Sequence, residues 1–185
     1  MSPSWGLCII LLLTPIVICN LVQTEQKLEQ CSKELKPGKE LNLGQLTGDW
    51  YPVYYWPKKF APKECYKVTF NEVAHADTGP CRDKIPEGEK VIQSTFTTQQ
   101  QTLTQYFYGA GELTHFSLSV EVAKDCLFLD AMWRDLGNGY TLVTACPIGA
   151  NSLLTRNVTS SSELQAVVNS IDSLKDTEGG PSSCI

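Results

Sequence analysis

From residue 50 onward, short runs of aromatic and β-branched residues alternate with polar ones. Gly, Pro, Asn and Asp interrupt them at close intervals. This period-two pattern predicts strands. The runs cover 50–56, 65–73, 90–97, 102–108, 113–120, 126–133, 140–146 and 152–156. Gly137-Asn138-Gly139 separates the sixth from the seventh. Asn-Gly suits a two-residue hairpin turn because both positions need positive φ. Gly109-Ala110-Gly111 links the fourth to the fifth in a similar way. Tight links of this kind join antiparallel neighbours. The period then changes. Leu164, Val167, Val168, Ile171 and Leu174 recur at spacings of three and four, the stripe of one amphipathic helix. Ser160 and Glu163 ahead of the stripe fit a capping box. The tail, 176–185, is rich in Gly, Pro and Ser and is expected to be irregular.

Eight short antiparallel strands with one terminal helix fit a closed barrel, with the helix burying its stripe on the outside. Closure removes the strand edges that otherwise template aggregation. A two-sheet sandwich satisfies the same pattern, so alternation alone leaves both architectures open.

The N-terminus bears on compartment. Residues 7–19 form an uncharged apolar run of thirteen, shorter than the roughly 20 a membrane span needs. Polar sequence, Gln23-Thr24-Glu25-Gln26-Lys27, follows. Residues 1–19 therefore read as a secretory signal peptide, cleaved after Cys19, and 20–185 as a single domain. No later run is long enough to span, so stable membrane insertion is not expected. The remaining chain holds six cysteines, Cys31, Cys65, Cys81, Cys126, Cys146 and Cys184. An even count in a secreted chain points to three disulfides, and spacing alone does not choose among the connectivities. Charged residues are 19% and hydrophobic ones 42% of the chain, which argues against disorder. The net charge is −5 and no basic tract is present, so neither a nucleic-acid partner nor a polybasic membrane anchor is expected. Asn157-Val158-Thr159 is an N-glycosylation sequon at the strand-to-helix link.

Three segments together carry a family resemblance. Leu43-Gly44-Gln45-Leu46-Thr47-Gly48-Asp49-Trp50-Tyr51 resembles the Gly-x-Trp motif that opens the first strand of lipocalins. The run 139–146 resembles their seventh strand, and Leu154-Thr155-Arg156 ahead of the capped helix resembles their third shared region. The likeness spans roughly residues 31–174. The turn before the seventh strand departs from the family's, and the link from Cys146 to Arg156 is shorter. The cysteine pattern is most similar to arthropod secreted lipocalins, of the bilin-binding and salivary types. The resemblance implies an all-β fold: an eight-stranded up-and-down barrel with one C-terminal α-helix outside it. It implies structural roles for Gly48, Trp50 and Arg156, with the Arg lying across the Trp ring at the barrel floor. It also implies disulfides Cys31–Cys146 and Cys65–Cys184, which leaves Cys81–Cys126.

No catalytic constellation stands out. The chain has no H-E-x-x-H, no G-x-S-x-G and no phosphate-binding glycine loop. His115 and His75 read as structural, no metal site is indicated and no cofactor is required. The expectation is a secreted, extracellular, non-enzymatic carrier. Its ligand is a small hydrophobic molecule such as a tetrapyrrole, sterol or fatty acid. Strand parity nominates Tyr54, Trp56, Phe70, Tyr106, Tyr108, Phe116, Leu118 and Trp133 as ligand-lining residues. A one-residue error of register would invert any of these strands. The alternative is a lipocalin that binds a protein through its exterior or mouth, as a protease or receptor inhibitor.

Overall fold

The computed structural model describes residues 41–97, 102–109, 113–120, 125–157 and 160–184. The expected signal peptide, Cys31 and most of the 109–111 link lie outside them. Side chains are described neither for 111–130 nor for 97–103.

Strands β1 (Gly48–Trp56), β2 (Val68–Val73), β3 (Val91–Thr97), β4 (Thr102–Tyr108), β5 (Leu113–Val120), β6 (Asp125–Gly137), β7 (Tyr140–Ala145) and β8 (Ala150–Thr155) follow one another in the sheet, each antiparallel to the next. The first half of β1 pairs with β2 and its second half with β8, which closes the ring. The fold is thus an up-and-down barrel and not the sandwich that alternation also allowed. The hairpin at Asn138-Gly139 has positive φ at both residues, 52° and 79°. That mirror-image turn matches the right-handed twist of the strands it joins.

A two-residue strand, β9 (Gly180–Pro181), lies against β1. Tyr54 and Tyr55 pair with β8 on one side and with β9 on the other. β9 therefore occupies the edge that β2 leaves once it has diverged from β1. Ser182 secures it: its N–H donates to the Val53 carbonyl at 2.9 Å and its Oγ to the Pro52 carbonyl at 2.7 Å. The Cys65–Cys184 disulfide then ties the tail to the β1–β2 connection. The tail, expected to be irregular, is in part a strand, because an open edge offers its backbone a partner.

Helix α1 (Ser161–Asn169) starts where Ser160 Oγ accepts the Glu163 N–H. It ends sooner than the apolar stripe implied. Ser170 caps it, Ile171 leaves helical geometry, and a 3-10 turn covers Asp172–Leu174. The stripe is buried nonetheless. Leu164, Ile171 and Leu174 pack with Val53, Trp56, Tyr140, Leu142 and Leu153 on the outside of the barrel. Among the described residues, no helix is long and apolar enough to cross a membrane.

At the other end of β1 the chain forms a floor. A 3-10 turn, Leu43–Leu46, tucks Leu43 and Leu46 under the barrel. The Trp50 indole donates to the Leu46 carbonyl at 2.7 Å, so this large side chain is buried without an unmet donor. Arg156 lies with its guanidinium carbon 4.2 Å from the centre of the Trp50 ring and donates to the Thr47 and Gln45 carbonyls. Gly48, at φ 107°, sits beside that guanidinium. A cluster around Trp50, Phe70, Ile92, Phe107 and Trp133 fills the barrel above the floor.

Candidate ligand-binding site

Above this floor a cavity of about 240 Å³ remains. Among the described residues, seven of the barrel strands or their approaches contribute to its lining. β1 supplies Pro52 and Tyr55, and Tyr66, Val68 and Phe70 come from β2 and its approach. Phe96 belongs to β3, Gln105 and Phe107 to β4, and Trp133 to β6. β7 and β8 add Val143, Ala145, Ser152 and Leu154, while the exposed Ile148 marks the mouth. The inner wall is aromatic. Phe70 and Phe107 both meet the Trp133 ring edge to face, with centres 5.9 and 5.2 Å away. Edge-to-face contacts suit the ring quadrupoles and leave the cluster rigid. The Trp133 indole N–H is buried with no hydrogen-bond partner among the described residues.

The polar groups are few. The Tyr55 and Tyr66 hydroxyls share a hydrogen bond at 2.5 Å. Burial holds both phenols above their ordinary pKa. The neighbouring Tyr66 raises Tyr55 further, while the Tyr55 bond partly offsets the effect of burial on Tyr66. Both hydroxyls are therefore protonated at neutral pH. Tyr66 stacks on Phe96 at 5.2 Å, which fixes its ring. Gln105 accepts the Ser94 hydroxyl at 3.2 Å. None of the described lining residues carries a charge.

The positions nominated by parity divide. Phe70 and Trp133 line the cavity. Phe116 and Leu118 stand opposite Phe107 and Gln105 in the β4–β5 ladder, and their side chains are outside those described. Tyr54 and Trp56 require a correction. A bulge between Pro52 and Tyr54 shifts the register, so Trp50 and Pro52 face inward but the next inward residue is Tyr55. Tyr54 and Trp56 pack outside, ring to ring at 4.5 Å, within the cluster beneath α1 and the tail. A Cβ on Gly179 would collide with both, which explains the glycine there. Pro52 was the available signal, since proline inside a strand marks an edge or a bulge.

Tyr106 and Tyr108 also lie outside the lining. They pack with Cys81, Ile85 and Val91 beneath the β2–β3 connection. Both faces of β4 are covered, one by the cavity side and one by this connection, so an apolar pattern could not identify the inner face. Parity consequently missed Tyr55, Gln105 and Phe107.

His75 Nε2 lies 2.7 Å from the Ile85 carbonyl, a structural contact, and His115 has no described side chain. No group of His, Cys, Asp and Glu placed to hold a metal occurs among the described residues. Cys81 and Cys146 are disulfide-bonded like Cys65 and Cys184. Their expected partners, Cys126 and Cys31, fall outside the described side chains.

No family model matches the chain, and no curated protein does. Among solved structures, insecticyanin from the tobacco hornworm Manduca sexta is similar over 77% of this chain and 79% of its own, at 10% identity and a TM-score of 0.46. So distant a likeness assigns neither family nor ligand.

Proposed function

We propose that this protein is a secreted binding protein of lipocalin type that carries a small, mainly apolar molecule inside its barrel. The observation that carries this reading is the cavity itself: a chamber of about 240 Å³ above the floor, aromatic and uncharged in its described lining. Burying apolar ligand surface there is favoured by about 25 cal/mol per Å² removed from water, less the costs of association. The apolar leader and the disulfide-bonded cysteines support an extracellular setting. The Gly48-x-Trp50 motif and Arg156 support the lipocalin assignment, with the arthropod secreted type as its finer form.

Native mass spectrometry of protein secreted by its own host cells tests the reading. A retained small mass is expected. Protein that emerges empty and also fails to take up hydrophobic probes would contradict it, in favour of a role in binding a protein partner.

A further inference from the structure

We infer that the cavity selects a neutral ligand with an apolar body and one hydrogen-bond acceptor, such as a ketone or ester, received by the Tyr55–Tyr66 hydroxyl pair and the Gln105 amide. This rests on reading the cavity as a ligand site and narrows what that site takes. Two phenols carry two O–H groups and share one hydrogen bond. Whichever hydroxyl donates, the other keeps a proton with no acceptor among the described residues. Gln105 repeats the situation: its Oε1 is occupied by the Ser94 hydroxyl, which leaves its N–H groups as donors. Trp133, on the same wall, carries a third unaccepted donor. The lining thus offers several donors to whatever fills the cavity, and covering them with a ligand that accepts none is costly. An acceptor on the ligand removes that cost, and a hydrocarbon does not.

Charge and size narrow the class. A carboxylate would give up its hydration in a chamber with no described cation to replace it. The chamber measures about 240 Å³, and a single aromatic ring with a short substituent fits it. The edge-to-face cluster of Phe70, Phe107 and Trp133 offers such a ring an apolar bed.

Isothermal titration of the full mature protein with acetophenone, ethylbenzene and benzoate tests the inference. Acetophenone should bind about three- to tenfold more tightly than ethylbenzene, the value of one net hydrogen bond. Benzoate should bind most weakly. In a Tyr55→Phe/Tyr66→Phe double variant the preference for acetophenone over ethylbenzene should fall, with circular dichroism reporting the fold. Gln105→Met carries the same comparison if the double variant does not fold. Ethylbenzene binding as tightly as acetophenone, or a preference unchanged in both variants, overturns the inference while leaving the cavity a ligand site. Failure of all three compounds to bind overturns the ligand-site reading and the inference with it.

Discussion

Arg156 covers the ring of Trp50 at 4.2 Å and ties down the chain that leads into β1 by donating to Thr47 and Gln45. One guanidinium thereby joins the end of the last long strand to the start of the first. Trp50→Ala should cost about 3–5 kcal/mol as a large buried side chain is lost. Arg156→Ala should cost about 1–3 kcal/mol from the cation–π contact and the freed carbonyls. Gly48→Ala should cost about 1–3 kcal/mol, since its φ is 107° and a Cβ would come within 2.8 Å of Arg156 Nη1. Chemical denaturation measures all three. A changed ligand preference at unchanged melting temperature would disprove the role of Trp50 or Arg156 as floor residues.

The tail should depend on its disulfide. Cys65 and Cys184 are 119 residues apart, and closing so long a loop contributes about 4–5 kcal/mol in the chain-entropy treatment. Cys184→Ser should lower stability by up to that amount. It should also abolish hydrogen-exchange protection of the Ser182 amide, which bonds to Val53. Protection retained at Ser182 would mean that β9 holds without the bridge. Non-reducing peptide mapping is expected to return Cys31–Cys146 and Cys81–Cys126 as the other two bridges, and a Cys31–Cys126 bridge would refute that assignment.

The tyrosine pair should make the fold sensitive to alkali. Folding raises both phenols above their ordinary value of 10.0, chiefly by burial. A group raised in this way contributes its full stability below the unfolded pKa, and loses it as pH climbs from that value toward the folded one. The melting temperature should therefore fall as pH rises past about 10. The decline should be shallower in a Tyr55→Phe/Tyr66→Phe double variant. Equal slopes would show that the pair does not govern alkaline stability.

Asn157 is exposed at the link between β8 and α1, where a glycan meets no steric barrier from the core. Secreted protein is expected to carry one there. Glycosidase treatment should increase its gel mobility, and Asn157→Gln should migrate like the treated form. Mobility unaffected by either change would remove this site.

The residues alone determined the eight barrel strands, their antiparallel order, the capped helix and the type of the 137–140 turn. Each depends on local rules: alternation, a Ser cap, and a two-residue link that needs positive φ. The family resemblance, carried by one motif at the start of the first strand and another at the end of the eighth, also pointed to Trp50 and Arg156 as neighbours in a floor. What they left open was decided by contacts between distant segments. Whether the sheet closes depends on β1 meeting both β2 and β8. The tail becomes a strand because β2 diverges and leaves an edge. The inner face of β4 is decided by the β2–β3 connection, whose Cys81 and Ile85 pack over Tyr106 and Tyr108 on its other face. In β1 one extra residue after Pro52 reversed the parity of everything beyond it, placing Tyr55 in the cavity and Tyr54 and Trp56 outside. Alternation specifies that two faces exist, and only the packing of the whole chain decides which of them encloses the cavity.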